Sequence, residues 1–509
     1  MILPLGNLIG AVTTLLVLRS IVTALYRLLL HPLAKVPGPK LAAITWYYER
    51  YFDIYHKQQF FKQIGKLHKK YGPIVRINPN EVHVADPELI DVVYPGGWKK
   101  VNKDPYLYVI WQTSFFSIAH DEHRMRRNAL SRYFSKAAVS KFERYIRETS
   151  EKLARRLLDY RKSGPITISA AYSSFATDVI TEYSFGKSFH LLDRDRFLPN
   201  LQAANDGYGQ MLHILRIFPW LSIVMTWIPQ ERLLKMNPGM AEWLALEQTC
   251  KDATAEAQAR RSSEKQPKGY YNVVDELLQS SLPDSEKSFD RLWLEAEGLV
   301  SAGTETTAWN LSLCTFYIYN DRSIMRKMRA ELLSEARDEK LPSLARLEAL
   351  PYFSAVIMET LRHSFGPVTR LPRVFPNEAT VMRSTQNGKP VEYVIPPGFV
   401  VSMTSIYIHM NERLFPNPHA FMPERWLDDQ GRRRRDMEKY ILTFSRGTRN
   451  CLGMNLAYAE LYMCLAAIVL HIGDQMELFE TDLRDVTPEY ETFAMRPYKG
   501  SQGIRVVID

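Results

Sequence analysis

The fold is decided by the stretch Phe444-Ser445-Arg446-Gly447-Thr448-Arg449-Asn450-Cys451-Leu452-Gly453. A cysteine that binds a metal must be deprotonated and shielded, and nearby backbone N–H groups temper its negative charge. Gly447 and Gly453 let the backbone turn tightly around the sulfur. A helix is expected from residue 454 onward, and a helix N-terminus favours an anionic sulfur. The pattern therefore predicts that Cys451 is the thiolate ligand of a metal.

The other cysteines point to no second site. Cys250, Cys314 and Cys464 form no Cys-x-x-Cys pair with one another or with Cys451. Four thiols in 509 residues do not suggest a disulfide framework, so a reducing compartment fits best. We expect the three cysteines outside the stretch to be buried free thiols.

Composition favours a large globular protein and argues against nucleic acid as a partner. The chain is 46% hydrophobic and 24% charged, with a formal net charge of +9. Its basic residues are mostly interspersed with acidic ones, and no zinc-finger or RNA-recognition signature accompanies them. The run Arg432–Arg435 follows a polar stretch and is interpreted as a solvated surface loop. We find no linker or repeat that would divide the chain after residue 40.

The N-terminus predicts a membrane anchor. Residues 2–18 carry no charge, and apolar character continues past Arg19 to Leu30, near the lower limit for a bilayer-spanning helix. The pattern does not decide whether Arg19 lies inside the span. An amphipathic helix lying on the membrane surface is the alternative to a spanning helix. Basic residues follow the span, which places the later chain in the cytoplasm. We divide the chain into an anchor (1–30), a proline-rich hinge (31–40) and a catalytic domain (41–509).

Hydrophobic periodicity predicts a mainly α domain with small β-sheets. Two strands are expected near residue 75, at 73–77 and 81–84, with further β character at 391–395, 399–404 and 503–508. The helical stretches are expected near 122–134, 138–161, 241–262, 290–319, 321–337 and 351–364, followed by a last helix after Cys451.

Three further patterns have both a structural and a functional interpretation. Glu359 and Arg362 share a helix face and, taken alone, form an ordinary ion pair. The stretch 302–307 (Ala-Gly-Thr-Glu-Thr-Thr) lies in a long apolar helix, which its glycine and its threonine hydroxyls are expected to bend or widen locally. His123 and Arg127 stand four residues apart on one helical face, and a solvated basic helix is the alternative for this pair.

The pattern Phe-x-x-Gly-x-Arg-x-Cys-x-Gly resembles the haem-binding loop of the cytochrome P450 family, and all its fixed positions match here. The resemblance implies a single large haem-thiolate domain of the cytochrome P450 fold. It also implies haem b with Cys451 as the axial thiolate and Phe444, Gly447 and Arg449 as cofactor-binding residues. The stretch Pro423-Glu424-Arg425-Trp426 resembles the family's turn before this loop. It implies a structural cluster of Glu359, Arg362 and Arg425.

The resemblance also assigns the remaining site residues. Glu305 and Thr306 match the acid and the threonine that guide protons to bound dioxygen, and are the expected catalytic residues. His123 and Arg127 match a pair that holds a haem propionate. Arg373 matches a further propionate-binding arginine, with Arg370 as the alternative.

The function implied is a monooxygenase that uses O2 and reductase-supplied electrons to hydroxylate or epoxidise an apolar small molecule. The implied partner is an NADPH-cytochrome P450 reductase, with cytochrome b5 as a second candidate donor, and the implied location is the endoplasmic reticulum membrane, with one span and a cytoplasmic domain. Residues 31–43 and 70–77 resemble the fungal microsomal branch, including secondary-metabolism members such as the trichodiene oxygenase group. A terpenoid or polyketide intermediate is the expected substrate.

Two alternatives are an isomerase or dehydratase of the same fold that needs no O2, and a non-catalytic haem-thiolate sensor. The expected substrate-lining segments are 100–120, 205–225, 295–307 and 366–372.

Overall fold

The structure is a computed structural model that describes residues 5–509 except 98, 109–112, 203–210, 212, 237–239, 263–271, 337–339, 368 and 493. Within these residues the chain is mainly helical, as predicted. The α-helices are Leu5–Leu29, Lys40–Ile44, Tyr47–Arg50, Phe60–Tyr71, Ile90–Val93, Pro105–Tyr108, His120–Ser131, Lys136–Leu158, Ile168–Phe185, Leu221–Thr226, Gln230–Met236, Met240–Ser262, Val273–Gln279, Phe289–Asn320, Arg322–Glu335, Leu344–Ala349, Pro351–Ser364, Ser405–His409 and Met454–His471.

The core is built around the 32-residue helix Phe289–Asn320, here named the long helix. It packs against Ile168–Phe185, against Met454–His471 and against Pro351–Ser364. The helix Ile168–Phe185 is buried on nearly all sides. It has no polar face and therefore no 3.6-residue pattern, which is why periodicity failed to predict it.

The strands form small sheets at the margin of the helical core. They are Ile74–Asn78, Glu81–Val84, Ile166–Thr167, Arg373–Val374, Thr380–Gln386, Lys389–Ile395, Val400–Met403, Met476–Leu478, Tyr490–Thr492, Ala494–Arg496 and Arg505–Ile508. The largest sheet has the order 74–78, 81–84, 400–403, 373–374, and its second and third strands run parallel. We name the antiparallel pair 490–492 and 494–496 the C-terminal hairpin.

Most predicted elements are confirmed to within a few residues. The two strands flanking the turn at 396–398 do not pair with each other. Lys389–Ile395 pairs with Thr380–Gln386, whereas Val400–Met403 joins the largest sheet. The strand 380–386 and the helix Phe60–Tyr71 were not predicted.

The N-terminal helix Leu5–Leu29 is apolar, and none of its residues over Ile9–Leu29 is buried, as expected of a membrane anchor. Arg19 lies within that stretch. A second helix of sufficient length and hydropathy, Met454–His471, is two-thirds buried and belongs to the core. Between anchor and domain, the proline-rich segment packs on the largest sheet. Leu33 is fully buried there, and Arg76 N donates to Pro37 O at 2.7 Å.

A buried carboxylate fixes the segment that leads to the cysteine loop, as we name residues 444–453. Glu359 accepts hydrogen bonds from Arg362 (Nη2–Oε1 2.7 Å), Arg425 (Nε–Oε1 3.0 Å), Trp426 (Nε1–Oε2 2.9 Å) and the backbone N–H of Met422 (2.9 Å). Burial alone raises the pKa of Glu359, but the hydrogen bonds and charge of Arg362, together with His363, hold that pKa well below its usual range. The predicted Glu359–Arg362–Arg425 cluster is thus confirmed.

His409 extends this cluster to the cysteine loop. Arg362 Nη1 donates to His409 O at 2.9 Å, and His409 Nδ1 lies 2.8 Å from Arg362 O. The other ring nitrogen, Nε2, accepts from the backbone N–H of Leu442 at 2.8 Å. Nδ1 must therefore be the protonated nitrogen. Burial lowers the pKa of His409 to about 3, so the ring stays neutral and keeps this tautomer.

We predict that Glu359→Gln lowers the free energy of unfolding by about 3–5 kcal/mol at pH 7, because it leaves two buried guanidinium groups without their carboxylate. The ionised carboxylate stabilises the fold above the unfolded-state pKa of about 4.3, and this contribution is lost as pH falls through the lower folded-state pKa. Stability of the variant should therefore fall less than that of the parent when pH drops below about 4. Denaturant unfolding across pH measures both effects.

Glu424→Gln is the matched control, since Glu424 forms an exposed ion pair with Lys327 worth about 0–1 kcal/mol. Equal stability of the Glu359→Gln and Glu424→Gln proteins would contradict the role assigned to Glu359.

Candidate haem-thiolate site

The cysteine loop is shaped by backbone contacts at both ends. Cys451 N donates to Phe444 O at 2.8 Å, which closes the loop. Gly447 has φ +71°, and a Cβ there would come within 3 Å of the carbonyl oxygens of Tyr94 and Pro95. Only glycine fits this position without displacing backbone. The close approach of Gly447 to these two carbonyl oxygens thus supports the prediction that the backbone turns tightly at this glycine.

Gly453 differs from the expectation. Its φ is −83°, and a Cβ built on it would meet nothing within 4 Å. The glycine is therefore not required by a tight turn of the chain itself. It leaves open space directly beside Cys451, and a bound group can occupy that space.

Cys451 is set apart from the other cysteines by its accessibility. Its side chain is exposed, whereas Cys250, Cys314 and Cys464 are buried, as predicted. Dense protein nevertheless surrounds the Cys451 thiol, and this desolvation raises its pKa, against the lowering effects of the Gly453 N–H and Arg127. A coordinating metal ion deprotonates such a thiol. Of the four sulfurs, only this one is open to an incoming ligand.

The helix that follows Cys451 connects the loop to the long helix. Met454–His471 packs on Phe289–Asn320, and Thr307 Oγ1 donates to Glu460 Oε2 at 3.3 Å. Phe444, at the start of the loop, is half-buried with its ring centroid 5.2 Å from that of Tyr458 on the same helix. The loop and the long helix are therefore held in one packed unit.

The long helix presents an accessible face in the middle of the core. Ala302 and Thr306, one turn apart, are exposed although most of the helix is buried. The Thr306 hydroxyl donates to Ala302 O at 2.7 Å, which leaves its oxygen able to accept a hydrogen bond. The helix is continuous through this stretch. Gly303 instead permits close packing, since a Cβ would lie 2.9 Å from Ile180 Cγ1.

Glu305 is held by a residue that sequence reasoning missed. Arg496, on the C-terminal hairpin, donates from Nη1 to Glu305 Oε1 at 2.6 Å, and both side chains are largely buried. Arg496 Nε is oriented by Thr492 Oγ1 at 3.1 Å. The second carboxylate oxygen, Glu305 Oε2, is buried without a hydrogen-bond partner in the described part of the chain. No sequence pattern links positions 305 and 496, because the contact spans 191 residues.

Buried cations gather near the cysteine loop. Arg449 donates to the carbonyl oxygens of Ser117 (2.7 Å) and Ile118 (2.9 Å), and Arg373 lies 3.4 Å from Ser445 Oγ. Lys103, also missed in the sequence, is buried beside them. Burial, followed by the charges of Arg373 and Arg449, lowers its pKa well below the ordinary value. Like charges in a low-dielectric interior repel one another, so this cluster favours binding of anionic groups.

The predicted pair His123 and Arg127, on the helix His120–Ser131, also lies near the cysteine loop. His123 is buried, and burial, followed by the charges of Arg449 and Lys103, lowers its pKa to about 2, so the ring is neutral. Arg127 donates to Asn450 O at 2.6 Å and to Asn450 Oδ1 at 2.7 Å, directly beside Cys451.

Arg370, the alternative to Arg373, is engaged elsewhere. It donates to Glu81 at 2.7 Å and to Glu49 at 2.5 Å. The geometry therefore supports Arg373 as the arginine near the loop. Part of the predicted substrate-lining segments, including residues 109–112 and 203–210, lies outside the described residues.

These residues fit haem. Haem carries two propionates, for which the buried cations Lys103, Arg373 and Arg449 supply opposite charge. The open space beside Gly453 and the accessible Cys451 sulfur suit the macrocycle and its iron.

Comparison with known proteins agrees with this fit. A family model described as Cytochrome P450 matches residues 37–500. The cytochrome P450 monooxygenase tpcC of Cochliobolus heterostrophus is 38% identical over 95% of this chain and 94% of its own length. The N-acetyltryptophan 6-hydroxylase ivoC of Emericella nidulans is 34% identical, covering 97% and 95%. The tryptophan 6-hydroxylase fscE of Fusarium equiseti is 36% identical, covering 98% and 96%.

The accessible cysteine loop, the buried cations beside it and these full-length relatives agree on one conclusion. The chain belongs to the cytochrome P450 family, whose members bind haem through a cysteine thiolate and act as oxygen-incorporating oxidoreductases.

Proposed function

We propose that the protein is a haem-thiolate monooxygenase in which Cys451 is the axial ligand and Glu305 and Thr306 deliver protons. The observation that carries this proposal is the pairing of an accessible Thr306 hydroxyl with the Arg496-held carboxylate of Glu305 on the long helix. A sensor or carrier needs no proton-delivery groups at this position. An isomerase that does not reduce O2 needs none either.

The protein's own residues account for proton movement. Arg496 occupies Glu305 Oε1, which leaves Oε2 as the oxygen able to exchange hydrogen bonds with water. The Thr306 hydroxyl donates to Ala302 O, and its free lone pairs can accept a hydrogen bond from a water molecule. A relay of positioned groups supplies protons without flooding the site with water. Haem bound at Cys451 would supply the activation of O2, and the thiolate favours cleavage of the O–O bond.

Binding of the cofactor is assigned to the buried cations and the loop. We propose that Arg373, Arg449 and Lys103 hold the propionates, with the neutral His123 as a hydrogen-bonding partner. Arg127 braces the loop through Asn450, which keeps Cys451 in register with the long helix. Phe444 and Gly447 shape the loop in the way described above.

Electrons must come from another protein, because the sequence has no Gly-rich flavin or dinucleotide fingerprint. We propose an NADPH-cytochrome P450 reductase on the same membrane, with cytochrome b5 as a second donor. Arg446, partly exposed next to the cysteine loop, is suited to an acidic docking face. The exposed apolar helix at 9–29 is proposed as a single anchor in the endoplasmic reticulum, with the domain on the cytoplasmic side.

We propose an apolar small molecule of fungal secondary metabolism, a terpenoid or polyketide intermediate, as the substrate, and hydroxylation or epoxidation as the reaction. Two of the relatives are named as hydroxylases of tryptophan and N-acetyltryptophan, which supports hydroxylation as the reaction type. Aromatic amino-acid derivatives are therefore included in the substrates to be tested.

The experiment that separates the alternatives is product formation by the full-length protein with reductase. A monooxygenase requires NADPH and O2 and incorporates labelled oxygen from O2. Turnover without NADPH would identify the isomerase or dehydratase, and absence of both turnover and O2 consumption across the substrate panel would favour the sensor.

We predict that Thr306→Ala retains haem but lowers product formed per NADPH at least about tenfold and releases hydrogen peroxide instead. Positioned proton transfer commonly contributes about 10²–10⁴-fold, and the variant removes only one of its groups. Thr306→Ser keeps the hydroxyl and should retain most of the parental yield. Parental yield in Thr306→Ala would exclude a role for this side chain in proton delivery.

A further inference from the structure

A second cluster of chemically competent side chains includes a residue of the C-terminal hairpin. Asp53, His213 and Glu491 come from three separate segments, and all three are buried. One ligand atom from each lies within 4.8 Å of the other two. His213 Nδ1 is 3.8 Å from Asp53 Oδ2. Two carboxylates and an imidazole are a donor set that binds divalent transition metals.

Each of the three side chains has a buried polar atom without a hydrogen-bond partner. Asp53 Oδ1, His213 Nδ1 and Glu491 Oε2 are buried and have no hydrogen-bond partner among the described residues. Buried polar atoms in folded proteins nearly always have partners, and an exception calls for a water, an ion or a ligand. Three such side chains, brought together from three segments, point to one shared ligand.

The charge of the surroundings favours a cation. Asp53 shares a guanidinium group with a further buried carboxylate, Glu49, and Glu49 shares a second guanidinium group with Glu81. Arg370 pairs with Glu49 and Glu81 at 2.5 and 2.7 Å. The first guanidinium group is that of Arg216. With the carboxylate of the C-terminal hairpin, the four carboxylates of this set outnumber the two guanidinium groups.

Arg216 does not fill the site itself. Its Nη2 contacts Asp53 Oδ2 and lies 3.3 Å from Glu49 Oε1. Asp53 Oδ1 and Glu491 Oε2 remain without a hydrogen-bond partner among the described residues. The neighbouring Asp104 also reflects the excess of negative charge, because burial and then Glu81 raise its pKa to about 6.

We propose that Asp53, His213 and Glu491 bind one divalent metal ion, each through one side-chain atom. Ligand bonds of about 2.1 Å place donor atoms about 3–4 Å apart, so the three side chains need to close by about 1 Å. The ion would join the segment Tyr51–Tyr55, the helical residues 213–217 and the C-terminal hairpin. Since that hairpin carries Arg496, the ion would also fix the residue that holds Glu305.

The test is a titration of the full-length, haem-loaded and tag-free protein with Mn²⁺ after chelator treatment, in detergent, followed by the EPR signal of free Mn²⁺. Mn²⁺ is the probe because it prefers oxygen and nitrogen donors to thiols. We expect one equivalent of bound Mn²⁺, displaced by Zn²⁺, which binds such sites more tightly. Asp53→Asn and Glu491→Gln should each weaken binding at least about tenfold, since even residues that only support a ligand contribute about 10–100-fold.

Glu489→Gln is the matched control, because Glu489 lies two residues from Glu491 but forms an exposed ion pair with Lys62. It should leave Mn²⁺ affinity unchanged. His213→Gln provides an independent variant if a carboxylate substitution impairs folding. Mn²⁺ should also slow amide hydrogen exchange in 51–55 and 490–492 of the parent. The proposal would be overturned if the parent showed no saturable Mn²⁺ binding, or if Glu491→Gln and Glu489→Gln bound Mn²⁺ with equal affinity. Asp53 and Glu491 would then be explained by a proton shared between their carboxylates.

Discussion

The candidate site depends on one ionised carboxylate in the core. Glu359 accepts hydrogen bonds from four residues at once and thereby ties the helix Pro351–Ser364 to the chain at 422–426. Through Arg362 and the fixed tautomer of His409, the same cluster reaches Leu442, two residues before the cysteine loop. The Glu359 carboxylate is costly to bury, but its hydrogen bonds offset that cost. It therefore positions the cysteine loop although no residue of the loop belongs to the cluster.

Two buried regions of opposite charge flank the long helix and its partners. Near the cysteine loop, Lys103, Arg373 and Arg449 repel one another and favour anions. In the second region, Asp53 and Glu491 belong to a set of carboxylates in excess over guanidinium groups. Uncompensated buried charge is costly, so each region is best explained by a bound group of opposite sign. The C-terminal hairpin contributes Glu491 to the second region and carries Arg496, which contacts Glu305.

Local chemistry made much of this predictable from the sequence. The cysteine loop, Glu359 with Arg362, and most of the amphipathic helices follow from short spacings. Ile168–Phe185 was missed because a helix buried on all sides has no period to detect. Lys103, Arg496 and the Asp53–His213–Glu491 cluster were missed for another reason: their contacts join segments far apart in the chain, and no residue among them is unusual by itself. Gly453 was assigned to a tight turn, whereas it keeps space open.

The central claim is that the Cys451 sulfur is the ligand of the haem iron. It is tested most directly by the Soret spectrum of the reduced carbon monoxide complex, measured on the parent, Cys451→Ser and Cys464→Ser. Cys464 is a buried cysteine on the following helix and serves as the matched control. The account predicts a thiolate-type Soret band in the parent and in Cys464→Ser and its complete loss in Cys451→Ser. An unchanged thiolate-type band in Cys451→Ser would contradict it.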